Sequence, residues 1–112
     1  MVRPGAPSAG DLVWLNPSPP VGHEQTGRRP VLVISPLRYN RLVGLALCSP
    51  VTSKRKGYAF GVPIPPGRGV DGVVLADQLG SLDWAHRKPG PAGRVPDATL
   101  REVQARVTAL LG

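Results

Sequence analysis

Fourteen prolines and fourteen glycines are scattered through these 112 residues, and between them only short elements fit. They follow no period, which excludes a collagen-like chain, and they read as many tight turns joining short strands. The pattern breaks once. From Asp97 to Leu111 there is neither glycine nor proline, and Leu100, Val103, Val107 and Leu110 recur at helical spacing. This predicts one amphipathic helix whose apolar stripe packs on a sheet. Asp97 or Thr99 is placed to cap its start, Thr99 with Glu102 fits a capping box, and Gly112 ends it.

Upstream, alternation predicts strands. Asp11 to Leu15 alternates and is stopped by Asn16-Pro17-Ser18-Pro19-Pro20. Pro30 to Ser35 is an apolar, β-branched run of the kind a buried strand requires. Arg38-Tyr39-Asn40-Arg41 reads as a polar turn. Further strands are expected at Val43–Cys48, Ala59–Ile64 and Gly72–Ala76, with a weaker one at Ser81–Ala85 ahead of a Pro/Gly-rich segment at 89–93. Residues 1–9 read as a loose arm, and 10–112 as one domain, since this length supports a single core. Short strands with a turn every eight to twelve residues, then a lone helix, argue for a small, strongly curved antiparallel barrel. The lack of a helical pattern between the early strands argues against a doubly wound fold.

The formal charge is +7, and the apolar fraction of 41% is that of a globular chain. No apolar run approaches the ~20 residues of a membrane helix, and Pro4, Gly5, Pro7 and Gly10 interrupt any signal-peptide core. The expectation is a cytoplasmic protein with no membrane association. Cys48 is the single cysteine, so no intrachain disulfide is expected. With His23 and His86 it makes a poor zinc set, so neither a metal site nor a cofactor is expected. Its neighbours Leu45-Ala46-Leu47 mark it as a small core residue. The positive charge is clustered at Arg28-Arg29, Arg38 with Arg41, Lys54-Arg55-Lys56 and Arg87-Lys88. Such clusters suit a phosphate backbone or an acidic protein partner, and composition does not separate the two.

Two segments carry candidate chemistry. In Gly22-His23-Glu24-Gln25-Thr26-Gly27-Arg28-Arg29-Pro30, glycines bracket a carboxylate and Pro30 fixes the backbone directly after Arg29. A solvated ion pair is one reading of Glu24 with the arginines. A mobile flap bearing an acid beside a strand-anchored guanidinium is the other. In Thr52-Ser53-Lys54-Arg55-Lys56-Gly57, hydroxyls stand beside cations at a strand end, a combination able to hold a phosphate or to form an ordinary turn. The GxxxxGK[ST] spacing is absent, which argues against a nucleotide triphosphatase. Trp14 and Phe60 alternate with apolar neighbours as core residues do. Tyr39, Tyr58 and Trp84 fall at strand ends, where they either pack or stack on unpaired bases.

In order along the chain, Gly10-Asp11-Leu12-Val13-Trp14, then Glu24-Gln25-x-Gly27-x-Arg29-Pro30, Pro50-Val51-Thr52-Ser53 and Ala76-Asp77-Gln78 resemble the MazF/PemK toxins. The resemblance runs from residue 10 to the C-terminal helix. It implies an SH3-like antiparallel β-barrel with a C-terminal helix, of the CcdB/PemK/MazF type. It further implies a homodimeric endoribonuclease that cuts single-stranded RNA at short sequences without metal and leaves 2′,3′-cyclic phosphate and 5′-hydroxyl ends. A cognate acidic antitoxin would hold it inactive. Carried over residue by residue, it implies Glu24, Arg29 and Thr52 as catalytic groups, with Gln25, Arg28, Ser53, Lys54, Arg55, Lys56 and Gln78 on the RNA. Arginine keeps its proton, so its implied task is stabilising phosphate charge, and the donor to the departing 5′-oxygen stays open between water and Arg29. Two other readings use the same barrel: a non-catalytic CcdB-like toxin that binds a topoisomerase, and a plain nucleic-acid-binding module.

Overall fold

The computed structural model describes residues 5–15, 29–54, 57–87 and 89–112. Strand β1 (Asp11–Leu15) pairs antiparallel with β2 (Arg29–Val33), and β2 pairs with β3 (Ala46–Thr52). The β-branched and aliphatic run of β2 is buried from Val31 onward, which is why it occupies the middle of the sheet. Helix α1 (Leu37–Val43) links β2 to β3. Beyond β3 come β4 (Gly61–Pro63), β5 (Val73–Leu75), a 3-10 helix at Ala76–Gln78, β6 (Gly80–Leu82), helix α2 (Trp84–Arg87), β7 (Gly90–Arg94) and helix α3 (Asp97–Leu111). The sheet order is β4-β5-β3-β2-β1-β7, with β6 also paired to β3.

This is the expected class, an antiparallel sheet with a C-terminal helix, with one change. Among the described residues no ladder joins β4 to β7, so the sheet is strongly coiled but does not close. Instead, the loop between β4 and β5 meets β7 backbone against backbone. A Cβ on Gly69 would lie 1.9 Å from the carbonyl oxygen of Ala92, and one on Gly93 would lie 1.8 Å from that of Arg68. Only glycine permits that approach.

The two faces of the sheet carry two cores. Leu12, Leu32, Val62, Val74 and Val103 form the larger, with α3 laid over it and Leu100 and Val107 packed alongside. Burying Val103 completely contributes about 1.5–3 kcal/mol. The predicted stripe of α3 holds for three of its four members; Leu110, in the last turn, is 48% exposed. Neither Asp97 nor Thr99 caps the helix. Pro96 occupies the N-cap with no side-chain bond, and Thr99 is buried, its N–H bonded to the carbonyl of Pro96. Gly112 ends the helix at φ 89° as expected. The smaller core joins Val13, Leu15, Val31, Val33, Ala46, Cys48 and Trp84 on the other face.

Four local expectations give way. Residues 38–41 form part of α1, not a turn, because the helix is set by Pro36 before it and by Gly44 after it in the left-handed region (φ 81°). The third strand starts at Ala46 and runs past Pro50 to Thr52, since β2 on one side and β6 and β5 on the other all pair with it. The weak strand at 81–85 shrinks to Gly80–Leu82. Asp83 then accepts the N–H of His86 (3.2 Å) and starts α2. The segment at 89–93 supplies β7 on the free edge of β1, with Asp11 and Arg94 forming an ion pair at 2.8 Å. Of residues 1–9, residues 5–9 are described. Pro7 is buried, and its carbonyl accepts from Asn40 Nδ2 at 2.9 Å.

Candidate active site

Each strand alternates its side chains, so Arg29 shares a face with Val31 and Val33, and Thr52 shares one with Pro50 and Cys48. Val33 pairs with Cys48 and Val31 with Pro50, which makes these one and the same face. Two residues past the last pair, Arg29 and Thr52 lie on that face at the same end of adjacent strands, just beyond the smaller core. Arg29 is exposed and Thr52 half-buried. On its other side Thr52 pairs with Val73, and Val73 pairs with Pro63. One row therefore runs from Pro63 through Val73 to Thr52, with Arg29 on the next strand at the same end. Neighbouring members are about 4.8 Å apart along the hydrogen-bonding direction.

The Thr52 hydroxyl oxygen accepts the N–H of Lys54 at 3.2 Å. This turns the chain at the strand end and leaves the hydroxyl proton available as a donor. Gly72 permits the close packing beneath this corner. A Cβ there would stand 2.6 Å from the carbonyl oxygen of Thr52. Ser53 and Lys54 are exposed on the turn that follows, and Gln78 is exposed at the end of the 3-10 helix. Glu24, Gln25, Arg28, Arg55 and Lys56 lie outside the described residues, as does His23. The structure thus brings Arg29, Thr52, Ser53 and Lys54 to one corner.

Other candidates are accounted for by packing. Trp84 is buried, with Nε1 donating to the carbonyl of Asn40 at 3.0 Å, so it offers no face to a base. Burial pushes the Cys48 thiol up to about 12, with the charge of Arg87 opposing weakly, which makes it a core residue and no nucleophile. The hydrogen bond from the exposed His86 holds the Asp83 carboxyl below the usual carboxylate range. Among the described residues no group of three or more His, Cys, Asp or Glu is placed to hold a metal ion.

Sequence reasoning overlooked a contact beside the corner. The hydroxyl of Tyr58 donates to Asp77 Oδ2, and its ring meets Phe60 edge-on with centroids 6.3 Å apart. Arg106 of α3 donates to the carbonyl of Ala59 at 2.6 Å and to Glu102 at 3.0 Å, tying this turn to the helix. Asp77 was visible only as the middle of Ala76-Asp77-Gln78; nothing local in the sequence announces Tyr58 as its partner.

The class is a small antiparallel sheet backed by one C-terminal helix, with a guanidinium and a hydroxyl at one strand-end corner. Comparison with known proteins places it more narrowly. Residues 8–111 match the PemK-like, MazF-like toxins of type II toxin–antitoxin systems, and the chain belongs to that family. It is 41% identical over 112 residues to the endoribonuclease toxin MazF of Escherichia coli K12, covering the full length of both. The crystal structure of MazF from Deinococcus radiodurans superposes with a TM-score of 0.83 at 51% identity, covering 96% of this chain and 97% of that one. A MazE–MazF structure from the same organism gives 0.84 at 47% identity, covering 96% of each chain.

Proposed function

We propose that this chain is a sequence-selective endoribonuclease toxin that cuts single-stranded RNA without a metal ion. A ribose 2′-oxygen attacks the adjacent phosphorus, the bond to the 5′-oxygen breaks, that oxygen takes a proton from water or from Arg29, and the ends are a 2′,3′-cyclic phosphate and a 5′-hydroxyl. Glu24 takes the 2′-hydroxyl proton. Arg29 presents its fork of N–H donors to the non-bridging oxygens, where negative charge grows as the phosphorus becomes five-coordinate. Thr52, whose oxygen already accepts the Lys54 N–H, donates a hydrogen bond to the same phosphate and fixes its position. Gln25, Arg28, Ser53, Lys54, Arg55, Lys56 and Gln78 hold the flanking strand, whose unpaired bases alone expose readable edges. The active form is a homodimer in the cytoplasm. Its partner is an acidic antitoxin that covers the basic groove.

The observation that supports this reading most strongly is that Arg29 and Thr52 share one face at the same end of adjacent strands. The topoisomerase-binding alternative is not favoured, because the 41%-identical relative is named an endoribonuclease. The test is cleavage of a long single-stranded RNA in chelator, with the new ends mapped. Arg29→Ala should slow cutting about 100- to 1,000-fold, and Thr52→Val should slow it too. Both should keep the parental circular dichroism, since neither side chain is buried in a core. Parental cutting by Arg29→Ala refutes the mechanism.

A further inference from the structure

Next to the Arg29–Thr52 corner lies a cavity of about 580 Å³, within the ~300–1,000 Å³ typical of small-molecule sites. Val73 and Pro63, two members of the row described above, form part of its wall, with Ile64 and Pro66 adding apolar surface. Ser53, Tyr58, Asp71 and Arg106 are its polar members. Val73 stands one strand from Thr52 and two from Arg29, so the cavity begins roughly 5–10 Å from the proposed scissile phosphate. That is the reach of a base attached to a neighbouring nucleotide.

The chemistry of the walls selects among occupants. The Asp71 carboxylate is exposed and belongs to no ion pair among the described residues, so it repels a phosphate and accepts N–H donors. The Tyr58 ring is held twice, by its hydroxyl on Asp77 and by its T-shaped contact with Phe60. Arg106 pins the same turn through the carbonyl of Ala59. The pocket is therefore preformed: flat and apolar on one side, acidic at the rim, and adjoining a phosphate-binding corner.

We infer that this cavity is a nucleobase subsite, in which a base beside the cut packs against Tyr58 and donates its exocyclic amino group to Asp71. The inference rests on the nuclease reading and extends it by naming residues that decide which sequence is cut. Asp77 acts here as a positioning residue: it touches no RNA and fixes the Tyr58 ring.

The test compares the parent, Asp71→Asn and Ala59→Trp on one long single-stranded RNA, with every new end mapped and rates measured on the parent's preferred site. Asp71 and Ala59 are both exposed, so neither variant disturbs a core. Asp71→Asn, which offers both a donor and an acceptor, should relax the base preference at one position flanking the cut and slow the preferred site by about 10- to 100-fold, the range of one lost base contact. Cutting at poorer sites should hardly change. Ala59→Trp fills the cavity from its rim and should shift preference at the same position. Asp77→Asn should raise KM with kcat little altered. If the parent cuts and both cavity variants keep its site preference and rates, the subsite is overturned while the nuclease stands. A parent that cuts no RNA overturns both.

Discussion

Replacing Asn40 with alanine should cost this protein a large share of its stability, although Asn40 is a polar residue in a short helix. Its side chain is fully buried. Oδ1 accepts from the Ser35 hydroxyl at 2.5 Å, and Nδ2 donates to the carbonyls of Pro7 at 2.9 Å and Ser35 at 3.0 Å. The Ser35 oxygen in turn accepts the N–H of Leu47 at 2.8 Å. Truncation strands three buried polar groups, each worth about 1–3 kcal/mol when left without a partner. Allowing for some relaxation, the loss is about 3–5 kcal/mol, set against the ~5–15 kcal/mol of a typical domain. At about 4 °C per kcal/mol the melting temperature should fall by roughly 12–20 °C. Urea or thermal denaturation followed by circular dichroism reads this directly. Asn40→Asp keeps the shape and one acceptor but removes both donors and buries a carboxylate, so it should be no milder. A loss below about 1 kcal/mol for Asn40→Ala would refute the claim that this network fastens the N-terminal segment, α1 and β3 together.

Gly93→Ala sets a Cβ against the Arg68 carbonyl at a φ of 155°, and should cost at least about 2 kcal/mol in the same denaturation assay. Gly67→Ala, open on all sides at φ 85°, should lose only the smaller backbone strain. The Cys48 thiol, raised to about 12 from an ordinary 9.0, should resist alkylation at pH 8 in the native protein and react once urea unfolds it. Because that value is raised on folding, its stabilisation is complete below pH 9.0 and erodes as the pH climbs towards 12, which alkaline denaturation checks.

The parts of the fold written in short-range pattern were legible: the alternation of β1, the β-branched run of β2 and the glycine-free stretch of α3. The elements that escaped obey longer-range rules. Helix α1 is turned inside out as an amphipathic segment, with Asn40 buried and Leu37, Leu42 and Val43 exposed, so periodicity reports the wrong face. Its start and stop, Pro36 and Gly44, were the usable signal. Strand β7, Gly-Pro-Ala-Gly-Arg, is composed of residues strands disfavour. It exists because β1 has an unpaired edge and because Gly93 alone fits beneath Arg68. At the site, Arg29 and Thr52 were legible as residue types beside strand ends, whereas their common face depends on register between strands twenty residues apart. The Tyr58–Asp77 contact has no local signature at all.

The pairing of β1 with β7 also sets when the molecule can become whole. Asp11 finds Arg94 only after more than eighty further residues have been made, and α3 follows later still. While the ribosome is completing the chain, the first strand lacks its outer neighbour and the larger core lacks its cover. The order of the strands thus makes assembly wait for β7 and α3, whatever the sheet has already paired.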